Sequence, residues 1–94
     1  MDKADLLKMT KVNLDLLFLT PEKEEQLKFL IDTAIELIAR EGVTLSEPYS
    51  NEEADLVIMY ASYLYRKRAT DEPMPRMLRW ALNNKLFGRE RDGP

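Results

Sequence analysis

The apolar positions of this 94-residue chain recur at spacings of three and four rather than two. That is the period of helices that bury one stripe each. The clearest case opens at Thr20, which can cap a helix, with Pro21 suited to the first helical position. Glu22, Glu24 and Glu25 fill the first turn, where the helix dipole favours negative charge. Leu27, Leu30, Ile31, Ala34, Ile35 and Ile38 then form a single stripe, and Gly42 is placed to end the helix as a C′ glycine. Before it, a short first helix is expected from Lys3 to about Thr10, with Leu6, Leu7 and Met9 as its apolar residues. Val12 to Leu19 reads equally as a turn or as a further short helical piece.

A third helix opens with the S-x-x-E capping box of Ser50 and Glu53 and is expected to reach about Ala69. Ala54, Val57, Ile58, Ala61, Leu64 and Tyr65 make its core stripe. Its other side also carries apolar residues: Leu56, Met59, Tyr60 and Tyr63. A helix apolar all round is buried all round. Either it is the central helix, with neighbours on both sides, or these four residues form a subunit interface. Arg66, Lys67 and Arg68 close it with positive charge that suits the dipole.

Thr70 to Pro75 reads as a loop with two prolines, and Pro75 fits the first turn of a fourth helix running to about Phe87 and stopping at Gly88. At about 100° per residue its apolar side holds Met74, Met77, Leu78, Ala81, Leu82 and Leu86, with Lys85 near the end. Arg76, Trp80, Asn83 and Phe87 fall opposite, with Arg79 at the edge. Trp and Arg are the residue types most enriched in interface hot spots. Three readings of Trp80 follow: packing over against the first helix or the 12–19 segment, docking a partner protein, or stacking on nucleic-acid bases.

The pattern predicts an all-α bundle of four to five helices with a long second and a central third helix, covering residues 1–88 as one domain, and a flexible tail over 89–94.

Composition narrows the function. The chain has no cysteine and no histidine, which removes disulfides, thiolate chemistry, zinc ribbons and the commonest general base. Three glycines leave no phosphate loop or dinucleotide pattern. Asp2 with Asp5, or Glu22, Glu24 and Glu25, resemble metal clusters, but helix dipoles explain such first turns. Glu52, Glu53 and Asp55 receive the same reading. No catalytic residue, metal or cofactor is expected. No signal peptide is visible, and the longest strongly apolar stretch, Leu56 to Tyr65, is too short for a membrane span. The charge is uneven: residues 1–65 hold 6 Lys/Arg against 13 Asp/Glu, and residues 66–94 hold 8 against 4. Such asymmetry fits a polyanion-binding end or a head-to-tail contact between copies. The overall acidic balance argues against a nucleic-acid binder.

Tyr60-Ala61-Ser62-Tyr63-Leu64-Tyr65-Arg66-Lys67-Arg68, a short loop, and then Met74-Pro75-Arg76-Met77-Leu78-Arg79-Trp80-Ala81-Leu82-Asn83-Asn84-Lys85-Leu86-Phe87 resemble the head–tail connector family of tailed bacteriophages. These are the small adaptor or DNA-packaging proteins below the portal. The likeness follows the order of elements over roughly residues 3–88, and its specific motif lies in roughly the last forty residues. It implies a helical virion subunit, of phage or prophage origin, made in the host cytoplasm. The subunit would assemble as a ring on the portal, extend the DNA channel and join the filled head to tail or completion proteins. DNA would pass without specific binding, and the free subunit could wait as a monomer. The positions matching the motif, Arg76, Arg79, Trp80 and Asn83, become candidates for contact with the portal or a neighbouring subunit, with Phe87 added from the helical projection. The rival is a small helix-turn-helix regulator built from the last two helices, for which the intervening turn is too rich in proline.

Overall fold

The computed structural model describes residues 1–16, 18–68 and 73–91, without the side chains of 87–91. Four helices follow in order: α1 (Lys3–Asn13), α2 (Pro21–Arg40), α3 (Asn51–Lys67) and α4 (Arg76–Arg91). No strand occurs among the described residues.

Each of the first three helices starts where side-chain chemistry can satisfy its free N–H groups. Asp2 and Asp5 form a capping box on α1: the Asp5 N–H donates to Asp2 Oδ1 at 2.9 Å and the Asp2 N–H to Asp5 Oδ2 at 3.2 Å. These two carboxylates therefore serve the backbone. Thr20 caps α2 through the Lys23 N–H, with Pro21 inside the first turn. Ser50 and Glu53 cap α3 reciprocally at 3.1 and 3.0 Å.

The end of α2 is a Schellman turn. Gly42 takes φ +100°, its N–H donates to the Ala39 carbonyl, and the Val43 N–H donates to the Ile38 carbonyl. Val43 and Ile38 are both fully buried, which supplies the apolar contact that accompanies this motif. A Cβ on Gly42 would lie 3.2 Å from Leu86 Cδ1, so the turn also seats α4.

α1 continues to Asn13, three residues beyond Thr10. The following segment is a turn: the Leu16 N–H returns to the Lys11 carbonyl at 2.8 Å and Asp15 stands at φ 57°. Asn and Asp tolerate that left-handed region better than most residues. At the other end of the chain, α4 runs through Gly88 to Arg91. A lone glycine costs a helix only about 1 kcal/mol and does not by itself stop one. α3 ends at Lys67 with Arg68 as its cap, just short of the expected end near Ala69; Ala69, the loop residues up to Glu72 and 92–94 of the expected tail lie outside the described residues.

α3 is the centre of the packing and touches each of the other three helices. Ala54, Leu56, Val57, Ile58, Tyr60, Ala61 and Ser62 are all buried. At 100° per residue they cover about 240° of its circumference. Leu56 (3% exposed) and Tyr60 (6%) are therefore core, correcting their reading as candidate interface residues. The physical reason is that α4 lies along that side of α3 and covers it. Leu64 and Tyr65, expected in the core, are only half-buried. On α2, Leu27, Ile31, Ala34 and Ile38 are buried, with Leu30 and Ile35 half-buried at the stripe's margins. Leu6 and Leu7 carry α1 into the same cluster, whereas Met9 is exposed.

Polar groups inside are paired. Thr10 donates to the Leu6 carbonyl at 2.7 Å, and the Asn13 amide donates to the buried Ser62 hydroxyl at 2.7 Å, linking α1 to α3. Among the described residues, no buried side-chain N or O lacks a partner.

Gly42→Ala is expected to lower stability by about 1–2 kcal/mol, because an L-residue is strained at this φ. Urea unfolding measures it; an unchanged midpoint would contradict the left-handed φ of Gly42.

Candidate partner-docking surface on α4

α4 packs mainly on α3, so only a narrow stripe of it is covered. Leu78 and Leu82 are fully buried, flanked by half-buried Ala81, Lys85 and Leu86, with Met74 half-buried just ahead of the helix. Met77 was expected on this core face and is instead 70% exposed. It lies about 100° from Leu78 and 140° from Leu82 around the helix, beyond the reach of a single packed neighbour. It belongs to the outer face.

That outer face holds Arg76, Met77, Trp80, Asn83 and Asn84, all exposed. Trp80 is 64% exposed, so it does not fold over onto α1 or the segment before α2. Its indole borders a groove of about 310 Å³, with Leu56, Met59 and Ala81 among the lining residues. Glu52 and Asp55 rim the α3 side, and Asn84 and Lys85 the α4 side. Phe87, the remaining residue of the predicted set, has a side chain outside those described.

Arg79 stands apart from its neighbours. Its guanidinium donates to Glu41 Oε2 at 2.6 Å, tying α4 to the C-terminal cap of α2. This hydrogen bond and the charge of Glu41 hold the Arg79 pKa above its ordinary value. Both partners remain well exposed, and such pairs contribute about 0–1 kcal/mol. Arg79 is thus an anchor of α4, while Arg76 is the cation on the outer face.

Of the four apolar residues on the far side of α3, Met59 and Tyr63 keep partial exposure. Tyr63 meets the Tyr60 ring edge-on at 6.1 Å, with the Lys67 ammonium 5.6 Å from its own ring centre. Burial raises the Tyr60 pKa, and the nearby Glu41 carboxylate adds to the rise. The predicted sites therefore split: Arg76, Trp80 and Asn83 share one open face with Met59 beside it, while Leu56 and Tyr60 lie beneath.

Sequence reasoning missed two further exposed aromatics, Phe18 at 96% exposure, in the segment between α1 and α2, and Phe29. Phe29 on α2 is 69% exposed and lies outside the stripe that the leucines and isoleucines use. The same projection that isolated Trp80 isolates Phe29. Its neighbours on that outer face are Glu22, Glu25, Asp32, Glu36 and Arg40, all exposed, and Arg68 borders the same groove as Phe29 and Glu25.

Comparison with protein-family models, with curated proteins and with solved structures finds no match to this chain. No helix among the described residues is long and apolar enough to cross a membrane.

Core and outer face of α4 should separate in stability. Leu82→Ala is expected to cost about 2–5 kcal/mol, and Trp80→Ala to stay within about 0.5 kcal/mol; chemical denaturation of both variants checks this. A pH effect follows from Tyr60. Burial favours its neutral phenol, so the unfolded chain releases this proton near pH 10, before the folded one does. Its contribution is complete below that pH and is lost as pH rises through the higher folded value. Melting temperatures should fall from about pH 10 upward, and less steeply in Tyr60→Phe.

Proposed function

We propose that this chain is a head–tail connector of a tailed phage or prophage. It assembles as a ring on the portal, continues the DNA channel and joins the filled head to tail or head-completion proteins. The outer face of α4 is its partner-binding surface, serving the portal or a neighbouring copy. The observation that carries the reading is this face: an exposed tryptophan and methionine beside a free arginine, on a helix whose sequence resembles the closing helix of connectors. A large aromatic left in water on a small domain has a use at interfaces, where Trp and Arg anchor binding.

The charge balance supports the same role. An acidic protein around a DNA channel repels phosphate and lets the duplex slide, whereas a basic lining would hold it. The net charge of −3 fits passage rather than grip. The protein acts in the virion, without catalysis or cofactor, after synthesis in the bacterial cytoplasm. A helix-turn-helix regulator would need a basic recognition surface; among the described side chains of the outer face Arg76 is the one cation, since Arg79 is engaged by Glu41.

Mixing the protein with portal rings from the same genome should yield co-sedimenting complexes and an added ring of density by negative-stain microscopy. Arg76→Glu combined with Trp80→Ala should abolish both while leaving the monomer folded. Absence of any added density with the natural protein, or tight duplex DNA binding with a steep salt slope, would overturn the reading.

A further inference from the structure

The groove beside Trp80 is built by one stripe from each of two helices. α3 supplies Glu52, Asp55, Leu56 and Met59, and α4 supplies Trp80, Ala81, Asn84 and Lys85. Each set recurs at helical spacing, so the groove follows from the packing of α4 on α3. Leu56 is buried, Met59 and Ala81 are half-buried, and the indole beside them stands 64% exposed. At about 310 Å³ the space is near the lower end of ligand-sized sites and suits one long side chain.

Two carboxylates at this groove are unspent. In the first turn of α3 it is Glu53 that serves the backbone, accepting from the Ser50 N–H at 3.0 Å. Glu52 and Asp55 are exposed and hold no ion pair or side-chain hydrogen bond among the described residues. Lys85 lines the same groove but pairs with neither, and Arg76, one turn before Trp80, does not line it. Among the described residues no cation of the chain lies over the indole; the contact of that kind is Lys67 on Tyr63. The groove therefore sets two carboxylates and an open aromatic face against a single ammonium.

We infer that this groove takes an arginine side chain of a partner protein, its guanidinium between Trp80 and the carboxylates of Glu52 and Asp55. The methylene stem lies along Leu56, Met59 and Ala81, as long cationic side chains cover apolar surface. The inference rests on the reading of the α4 face as a partner surface and names the chemistry of the segment that meets it. An indole attracts a cation through its ring quadrupole, more strongly than the other aromatics do. A guanidinium is planar, so it stacks on that face while its forked N–H groups reach carboxylates. An ammonium is a compact, strongly hydrated charge and does not stack. An apolar or acidic anchor would cover the two carboxylates without pairing them, which costs free energy.

Trp80 is the only tryptophan of the chain, so its emission reports on the groove directly. The probe is the peptide acetyl-Leu-Arg-Leu-amide at millimolar concentration, with citrulline and lysine versions beside it. The arginine peptide should change the indole emission saturably and move the NMR signals of the Trp80 indole N–H and the Asn84 side-chain amide. Citrulline keeps the shape without the charge and should bind about tenfold more weakly. Glu52→Gln with Asp55→Asn should weaken the arginine peptide by a similar factor at unchanged circular dichroism. Lys85→Met removes the competing cation and should tighten it, and added salt should weaken it. No saturable response, equal binding of the citrulline or lysine peptide, or full affinity in the double variant would overturn the proposal. The outcomes separate the two readings. Portal rings decorated equally by the natural protein and the double variant, with no response to the peptide, would retain the connector and reject this groove. Peptide binding that the double variant loses, without portal binding, would retain the groove and reject the connector.

Discussion

The structure depends on α3 burying about 240° of its circumference at once. A single 17-residue helix touches all three others, so its side chains set how closely each neighbour can approach. Small residues make this workable: Ala54, Ala61 and Ser62 are buried and leave room for backbones nearby. The larger Leu56, Ile58 and Tyr60 extend the buried arc to either side. In a chain of 94 residues there is little other core to share. The buried hydroxyl of Ser62 also sets a condition on α1, because a desolvated hydroxyl needs a partner and Asn13 provides it.

That economy of core has a consequence at α4. The first three helices contribute to a common cluster from several sides, whereas α4 rests on α3 through Leu78 and Leu82 and is braced by Leu86 at Gly42 and by Arg79 at Glu41. A helix held this way keeps a wide outer face. In this protein the outer face carries Met77 and Trp80 rather than the charged residues that cover most helices in water. That exposure, taken with the sequence likeness, is what supports the proposed connector role.

Charge is organised by the same packing. The basic and acidic halves of the sequence meet within the subunit at Arg79 and Glu41. Arg79 meets Glu41 at 2.6 Å and Arg68 approaches Gln26 at a long 3.5 Å, so side chains tie the region after Tyr65 to α2 and its cap. Lys11 and Glu24 pair at 3.0 Å on half-buried side chains between α1 and α2, while the other described ion pairs lie on exposed ones.

Much of the secondary structure was legible in the sequence because its causes are local. Thr20 with Pro21, Ser50 with Glu53, and Gly42 each act within one turn, so they mark helix ends without knowledge of the fold. The stripe of Leu27, Ile31, Ala34 and Ile38 is likewise a property of one helix's period, and so was the isolation of Trp80 from Leu78 and Leu82. Burial at the margins was not local. Leu56 and Met59 look alike in sequence, yet α4 covers one and leaves the other at a groove edge; Met74 and Met77 divide in the same way. Those outcomes depend on how many neighbours each helix has and at what azimuth. Contacts between distant residues decide it, such as Asn13 with Ser62 and Arg79 with Glu41, and a periodic pattern holds no record of them.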